Sequence, residues 1–341
     1  MTLGWAIIST GRHSDAKMAP AINAAVGSTI TAIVSRDIGR AEAFANKHGV
    51  KIAYNNIDAM LRDPGVNVVY VASPNALHVE HTLKAAAAGK HVLVEKPMAL
   101  SVNDCQQMID ACDRASVKLG IGFHLRTHPG HQRLRELVAS GQLGKLSLTT
   151  ANWGRGSRGL TTPLPRPDLQ AWWGDLSMVG AGAFMATGVH CVDLMRFVTG
   201  RNVTEVIALN DASSTSPLEE LVTLTARFDD GSLGTIMTGR RTPDYVGNDV
   251  MIYGSEGRAG VRESVNTVLG GTLDIDTQTI TACEAFETDP IALYTWQVDA
   301  FNNAVEHDLD PPASGMDGLR AAQVTLAMVE SAKTGRRVNI L

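Results

Sequence analysis

The sequence predicts an α/β protein in two parts: an N-terminal doubly wound parallel sheet, then a C-terminal α/β domain with an open, mostly antiparallel sheet. Two observations predict this division. Short β-branched runs alternate with helical segments from residue 3 to about residue 123, whereas strands after residue 145 partly alternate in polarity and are broken by turns. The length of 341 residues also exceeds that of a usual single domain. We therefore expect domains at 1–123 and 124–341.

The first part follows a strand–helix order that builds a parallel sheet with right-handed crossovers. The runs VVYVAS and HVLVE are almost entirely apolar, which is typical of strands covered by helices on both faces. The predicted strands are 5–8, 29–35, 67–73, 91–96 and 118–123, and the predicted helices are 16–25, 39–49, 77–89 and 104–115.

The second part combines strands of partly alternating polarity with a central helix, 183–198, whose apolar residues recur at helical spacing. The turns DDGS and GSEG break the strands. We expect the last helix, 316–334, to pack back on the first domain. The predicted strands are 145–153, 205–211, 220–228, 232–240 and 249–255, and two closing helices lie near 290–307 and 315–334.

Composition excludes several classes of protein. Thirty Lys and Arg against 35 Asp and Glu give a net charge of −5, which argues against a nucleic-acid-binding surface. We find no long uncharged run for a membrane span and no targeting signal at the start. The four cysteines contain no CxxC pair, so we expect reduced thiols in a cytoplasmic protein with no nucleic-acid or membrane partner.

The turn after the first strand is a candidate phosphate site. In doubly wound sheets this turn carries the pattern G-x-G-x-x-G and brings a pyrophosphate to a helix N-terminus. Only the middle glycine of the pattern is kept here, the one that lets backbone approach phosphate. A plain strand–helix turn is the alternative. The turn consists of Ser9, Thr10, Gly11, Arg12, His13 and Ser14.

The end of the second strand predicts which cofactor a Rossmann domain of this kind would bind. NAD-binding domains usually carry an acid there for the ribose 2′-hydroxyl, but this chain has Ser35, followed by Arg36 and Arg40. A hydroxyl and guanidinium groups would hold a 2′-phosphate that an acid would repel. We predict NADP(H); Asp37 is an acid that could swing back, and a solvated helix start is the other explanation of the arginines.

Glu95, Lys96 and Pro97 follow the apolar strand HVLV. A lysine at the carboxyl end of a buried parallel strand lies where a nicotinamide would lie in this fold. Its ammonium can polarise a carbonyl group or protonate a developing alkoxide. A surface charge is the commoner role of a lysine.

The sequence contains no motif that indicates a metal site or a serine or cysteine nucleophile. His13, His128 and His131 have no acidic partner set, so we predict no metal site. No GxSxG elbow appears, and no cysteine lies in a motif that would lower its pKa.

Three stretches together resemble the Gfo/Idh/MocA oxidoreductase family: VASPNALHVEHTLKAAAAGKH, VEKPMALS and GFHLRTHPG. The resemblance covers essentially the whole chain. It implies an oxidoreductase acting on CH–OH or C=O groups, with no metal, for which the end of the second strand predicts NADP(H). It also implies a homodimer or dimer of dimers formed through the broad face of the second sheet.

The resemblance assigns roles to individual residues. Lys96 would be catalytic with Glu95 beside it on the nicotinamide side, and His190 would face the substrate carbonyl. Ser73, Asn75, His78, Arg126 and Trp172 would contact the cofactor, in addition to the residues of the turn and of the second strand's end. The substrate side would be lined by Lys96, His124, Trp173, His190 and Tyr294.

Two departures from the family pattern lie at the substrate end. Ala186 stands where the family usually has an Asp four residues before His190, and Trp173 stands where one similar member of the family has an arginine after the tryptophan. Asp193 is three residues beyond His190 and could orient its ring. On an apolar helix a lone histidine is more often a core residue, although glycines 180, 182 and 188 leave room for a ligand.

We therefore expect hydride transfer between NADP(H) and a sugar or sugar-like polyol, with reduction of 1,5-anhydro-D-fructose or a similar keto sugar first. The loop 154–167 and Trp172 would close over the substrate. An aldose, inositol or trans-dihydrodiol dehydrogenase is one alternative, and a non-catalytic NADP-binding sensor is another.

Overall fold

The computed structural model describes residues 2–154, 168–240 and 247–340, without the side chains of residues 168–170. The chain divides into two compact units. The first unit comprises Met1–His124, Asp168–Met178 and Ile291–Leu319, and the second comprises Leu125–Pro167, Val179–Pro290 and Arg320–Leu341. Two later segments of the chain thus fold with the N-terminal residues.

The elements of the described ranges are as follows. The strands are β1 (Leu3–Ile8), β2 (Ser28–Val34), β3 (Ile52–Tyr54), β4 (Val68–Val71), β5 (His91–Val94), β6 (Leu119–Ile121), β7 (Leu146–Gly154), β8 (Val203–Asn210), β9 (Leu221–Phe228), β10 (Leu233–Gly239), β11 (Val250–Gly254), β12 (Gly257–Arg262), β13 (Leu269–Thr277), β14 (Thr281–Asp289) and β15 (Val338–Asn339). The helices are α1 (Ala19–Ala24), α2 (Ile38–His48), α3 (Ile57–Leu61), α4 (His78–Ala87), α5 (Val102–Arg114), α6 (Pro129–Ala139), α7 (Leu176–Val179), α8 (Val189–Thr199), α9 (Ala292–Glu306) and α10 (Gly315–Thr334). Single π-helical turns lead into α1 (Ser14–Met18) and α8 (Phe184–Gly188), and 3₁₀ turns lie at Asn75–Leu77, His124–Thr127 and Asp168–Gly174.

The first unit is built on a six-stranded sheet of order β3-β2-β1-β4-β5-β6 in which every pair is parallel. This is the Rossmann order, and its direction reverses between β1 and β4. The strands β1 and β4 are buried along their whole length, because helices cover both faces. The predicted doubly wound parallel sheet is confirmed.

Helix α9 completes the core of this unit. It packs on α1, and Tyr294, Val298 and Phe301 join the cluster around Trp5. The Trp5 ring meets Phe301 edge-on at 5.7 Å, and its indole N–H donates to Asn302 at 3.2 Å. Thus side chains almost 300 residues away in the sequence pack against Trp5 of β1.

The second unit holds a nine-stranded sheet of order β14-β13-β12-β11-β7-β10-β9-β8-β15. Its strand pairs are antiparallel except β7 with β10, which confirms an open, mostly antiparallel sheet. In β9 buried and exposed residues alternate, as expected for a sheet with one face in water. Nearly all of α8 is buried, and it contacts β7 and β10.

The sequence patterns did not predict several strands and helices of the structure. The strand β3 and helix α3 are too short to show a period. The strands β12 to β14 are rich in Gly, Asp, Glu and Thr, and β14 is mostly exposed, so pairing with β13 rather than burial defines it. Helix α6 was also not predicted, although Pro129 begins it, the His128 side chain caps it, and Leu134 and Leu137 are buried on one face.

We found no run in the sequence suited to a membrane span, but one helical run of the structure meets that test by length and composition. The run Leu176–Thr199 is long and apolar enough, by length and composition, to cross a membrane. However, 83% of its most apolar 18-residue window is buried inside the protein, as in a core helix.

Candidate active site

The turn after β1 has the shape expected of a phosphate-binding turn. The N–H of Ser9 donates to Val34 O at 3.1 Å, which ties the turn to the end of β2. Ser9 itself has φ 97°, a conformation that favours glycine. The N–H of Asp15 donates to Gly11 O at 3.0 Å and begins the helical segment. The turn therefore lies at the carboxyl end of the parallel strands, at the switch point of the sheet.

The other turn residues differ in accessibility. Thr10 and His13 are half-buried and Arg12 is exposed, whereas Ser14 is only 1% exposed. The Ser14 position corresponds to the third glycine of the pattern, which permits close helix–strand packing. Its burial fits that role, and its side-chain oxygen has no hydrogen-bond partner.

The end of β2 carries cationic side chains in water. Ser35 is half-buried, and Arg36 and Arg40 are exposed. Asp37 caps α2: its carboxylate accepts the N–H of Arg40 at 2.9 Å and lies 3.7 Å from the Arg40 Nε. Because this carboxylate caps the helix, it is not turned back toward Ser35.

Glu95 is the centre of a polar cluster in the first unit. Its carboxylate accepts the hydroxyl of Tyr70 at 2.7 Å and lies 3.3 Å from His13 Nε2. Burial raises the pKa of Glu95, but His13, Lys96 and the Tyr70 hydroxyl together lower it to about 2. Glu95 is therefore an anion at neutral pH beside the ammonium of Lys96.

The chain keeps space for this carboxylate. A side chain at Gly122 would place its Cβ 2.7 Å from Glu95 Oε1. The Glu95 N–H donates to Val71 O at 2.9 Å, so β4 fixes its backbone. The small residue after β6 and the buried tyrosine of β4 thus position the acid of the EKP sequence.

Tyr294 joins several predicted site residues. Its ring stacks on His124 at 4.7 Å and meets the His13 ring edge-on at 5.2 Å. The Lys17 ammonium lies 5.7 Å from the ring centre. His124 is 3% exposed and Tyr294 is 1% exposed. The structure therefore brings together His13, Glu95, His124 and Tyr294, which four different elements supply.

The side chains of Ser73 and His78 are buried. The two ring nitrogens of His78 are each 2.9 Å from a carbonyl oxygen, those of Ser73 and Pro97. The Ser73 hydroxyl is 2.8 Å from His81 Nδ1. Asn75 is also buried, at 4% exposure. His78 thus joins the loop after β4 to the loop that carries Lys96.

Trp172 and Trp173 stack on one another, with ring centroids 4.6 Å apart and planes 28° apart. Both side chains are half-buried, and the adjacent Ala171 and Gly174 are exposed. The pair offers an accessible aromatic surface in the first unit.

In the second unit, His190 lies in the first turn of α8 and is 3% exposed. Its ring is 4.9 Å from the Trp153 ring of β7. The preceding π-helical turn contains Ala186, and such turns frequently occur at functional sites. From the sequence we expected an ordinary helix here, not a π-helical turn.

Arg126 and Asp193 form a buried ion pair in the second unit. The guanidinium donates from Nε at 2.9 Å and from Nη2 at 2.6 Å to the two carboxylate oxygens. The side chains are 6% and 1% exposed. Asp193, expected as a possible partner of His190, thus has both oxygens engaged by Arg126.

An acid that was not predicted from the sequence binds the start of the π-helical turn that contains Ala186. The Glu219 carboxylate accepts the N–H groups of Gly182 at 2.8 Å and Phe184 at 3.1 Å. Burial raises the pKa of Glu219. A lone Glu before a strand gives no sequence signal, because its partners are backbone groups. Tyr70 also gives no sequence signal, because it lies in the apolar strand β4 and looks like a core residue.

Two predicted regions cannot be placed. Residues 155–167 of the expected closing loop, and residues 241–246 after the predicted strand 232–240, lie outside the described residues. Within the described ranges, no group of three or more His, Cys, Asp or Glu residues could hold a metal ion.

The first unit fits a nicotinamide dinucleotide. A glycine lies in the turn at the sheet's switch point, exposed guanidinium groups follow β2, and an ionised Glu95 lies beside Lys96 after β5. The pyrophosphate, the ribose and the nicotinamide ends of such a ligand would meet these groups in that order.

Comparison with known proteins agrees with this geometry. Residues 3–123 match the oxidoreductase family with an NAD-binding Rossmann fold, and residues 131–260 match the GFO/IDH/MocA C-terminal domain. The 1,5-anhydro-D-fructose reductase of Ensifer adhaerens is 29% identical over 318 residues, 93% of this chain and 92% of that protein. D-xylose 1-dehydrogenase (NADP(+)) 2 of Haloferax volcanii is 29% identical over 309 residues, 91% of each chain.

Among solved structures, the aldose-aldose oxidoreductase from Caulobacter crescentus superposes with a TM-score of 0.87 at 25% identity, covering 99% of this chain and 100% of that one. The matches span both parts of the sequence, so they do not depend on the dinucleotide turn alone. The chain therefore belongs to the Gfo/Idh/MocA oxidoreductases, as its motifs predicted.

Proposed function

We propose that the protein transfers hydride reversibly between NADP(H) and a carbonyl or secondary hydroxyl group of a sugar or sugar-like polyol. Reduction of 1,5-anhydro-D-fructose or a similar keto sugar is the first reaction to test. The observation that carries the proposal is the Lys96 ammonium beside an ionised Glu95 at the carboxyl end of β5. The name of the Ensifer adhaerens relative supports the substrate class.

Lys96 handles the proton in this proposal. The nicotinamide, when bound, supplies the hydride in reduction and accepts it in oxidation. In reduction, the Lys96 ammonium hydrogen-bonds the carbonyl oxygen and donates a proton as the alkoxide forms. Hydride plus proton converts C=O to CH–OH, which balances the reaction. In oxidation, the amine takes the proton from the hydroxyl.

Glu95 acts on Lys96 rather than on the substrate. Its negative charge favours the protonated form of the neighbouring amine. Tyr70 and Gly122 keep the carboxylate in place. We assign His190 a second proton-handling role in the same reaction, by its position in the family pattern.

Several features support NADP(H) over NAD(H). The end of β2 has a hydroxyl and two exposed guanidinium groups, and the one nearby acid, Asp37, caps α2. A 2′-phosphate would pair with these cations by charge-assisted hydrogen bonds. The Haloferax volcanii relative is named for NADP(+).

A dehydrogenase of an aldose is the second candidate. Ala186 removes the acid that usually accompanies His190, and the Haloferax volcanii relative is named for D-xylose. The two candidates differ in the direction and substrate of turnover, so one panel of sugars distinguishes them.

The test follows NADPH and NADH oxidation with 1,5-anhydro-D-fructose beside ketoses, aldoses and osones, and the reverse reaction with aldoses and inositols. Lys96→Met should lose at least about two orders of magnitude in turnover, the lower range for general acid catalysis, and should still bind NADPH. Turnover equal to wild type would remove Lys96 from the mechanism. Tight NADPH binding without turnover across the panel would favour the sensor alternative.

A further inference from the structure

Ser9 has an unusual backbone conformation at the first position of the phosphate-binding pattern. Its φ of 97° lies in the region that favours glycine, because a Cβ there crowds the neighbouring carbonyl groups. Three other non-glycine residues of the described chain have positive φ, namely Ser116, Glu263 and Asp308, but each has φ 54°, in the left-handed helical region. Of these four residues, Ser9 has the φ angle furthest from the left-handed helical region.

The sheet imposes this conformation. The N–H of Ser9 donates to Val34 O at 3.1 Å, and the preceding carbonyl, of Ile8, accepts from Ala72 N at 3.2 Å. Hydrogen bonds to the neighbouring chain segments on both sides thus fix the peptide before Ser9. Strain that the surroundings over-determine in this way is typical of functional sites.

The Ser9 side chain engages the next position of the pattern. The N–H of Gly11 donates to Ser9 Oγ at 3.2 Å. A Cβ on Gly11 would lie 3.3 Å from the same oxygen. The second glycine of the pattern is the one at which backbone approaches the pyrophosphate. The hydroxyl therefore lies against the backbone group that a phosphate oxygen would use.

We propose that Ser9 competes with the cofactor for the Gly11 N–H and thereby weakens nicotinamide cofactor binding. This inference rests on the proposed function. A phosphate oxygen is a stronger acceptor than a hydroxyl, so the cofactor binds, but the Ser9–Gly11 hydrogen bond must break first. The pyrophosphate is common to both cofactors, so Ser9 affects NADPH and NADH alike. Ser9 thus sets the affinity, while the end of β2 sets the preference between the two.

The test measures the dissociation constants of NADPH and NADH by calorimetry for the wild type, Ser9→Ala and Ser9→Gly. Ser9→Ala removes the hydroxyl and keeps the strained Cβ. It should bind both cofactors about two- to tenfold more tightly, the range of one net hydrogen bond. Ser9→Gly should bind at least as tightly and also raise the Tm of the cofactor-free protein, because its backbone strain is relieved.

Ser116→Gly is the matched control. Ser116 also has positive φ, but it lies in the turn between α5 and β6, at the amino end of the strand. Its replacement should relieve strain and leave both dissociation constants unchanged, since dinucleotides bind at the carboxyl ends of the strands.

The outcomes are distinct. Unchanged or weaker cofactor binding by Ser9→Ala would overturn the proposal, and weaker binding would make the hydroxyl a phosphate ligand instead. If Ser9→Ala does not fold, Ser9→Gly decides in the same way. A wild-type protein that binds neither cofactor would overturn the proposed function itself, whereas a wrong-signed variant effect overturns only the competition.

Discussion

Glu95 in the first unit and Glu219 in the second are both largely buried carboxylates, yet their pKa values shift in opposite directions. The pKa of Glu95 falls to about 2 although burial alone would raise it, because His13, Lys96 and the Tyr70 hydroxyl oppose the burial. The pKa of Glu219 is raised by burial, the negative charge of Asp211 raises it further, and the backbone N–H groups of Gly182 and Phe184 offset this only in part.

The difference shows that burial alone does not set the direction in which the pKa of a carboxyl group shifts, because neighbouring cations and hydrogen-bond donors also act on it. Glu95 is maintained as an anion in the cluster that holds Lys96, which suits a site that handles protons. Glu219 instead holds the backbone of the turn before α8. A third buried acid, Asp193 in the second unit, has a cation partner, Arg126, as Glu95 has in the first unit.

The largest effect should come from breaking that ion pair. Arg126→Ala leaves the Asp193 carboxylate buried without its cation, which typically costs about 3–5 kcal/mol of unfolding free energy. Urea denaturation measures this loss. Arg133→Ala is the control, because its pair with Glu136 on α6 is exposed and should contribute less than about 1 kcal/mol.

Equal small losses in these two variants would contradict a structural role for Arg126. The cofactor role that the resemblance assigns to Arg126 would then be favoured. A folded Arg126→Ala protein with weakened NADPH binding would point the same way.

An intermediate effect should appear in the pH dependence of stability. Glu95, with its lowered pKa, stabilises the fold above about pH 4.5, and this contribution is lost as the pH falls toward about 2. Glu219, with its raised pKa, contributes most below about pH 4.5, and this contribution is lost as the pH rises through its folded value. Each unit of pKa shift corresponds to about 1.4 kcal/mol.

Urea denaturation of Glu95→Gln and Glu219→Gln between pH 3 and pH 7 tests the comparison. The difference from the wild type should shrink on acidification for Glu95→Gln and shrink on alkalinisation for Glu219→Gln. Glu219→Gln also places an amide N–H₂ against a backbone N–H, which should add a pH-independent loss of about 1–3 kcal/mol. Parallel pH slopes for the two variants would refute the assignment of opposite shifts.

The smallest effect concerns a half-buried residue beside exposed arginines. Ser35→Asp places a carboxylate at the end of β2, where it should repel a 2′-phosphate and accept the ribose hydroxyl of NADH. The ratio of the NADH to the NADPH dissociation constant should fall about tenfold, by about 1.4 kcal/mol. Ser116→Asp is the control, and an unchanged ratio in Ser35→Asp would separate Ser35 from cofactor choice.

Much of the first unit could be predicted from local signals. The apolar runs of β4 and β5 and the helix α5, with its Ser101 cap, follow from residue type and period. The same signals located the turn at Ser9 and the lysine after β5. Strands β12 to β14 could not be predicted in this way, because pairing with neighbours stabilises them more than their own composition.

Sequence alone determined the family, the doubly wound parallel sheet and the presence of Lys96 after a buried strand, because strand ends and family motifs are local in the chain. Tertiary structure decided what surrounds them. Tyr294 contacts His13 and His124 only because α9 packs on the first unit's core. Arg126 pairs with Asp193, which lies 67 residues later in the chain. Such contacts depend on the packing of distant elements. The charge state of Glu95 likewise depends on His13 and Tyr70, which other elements supply, as well as on its sequence neighbour Lys96.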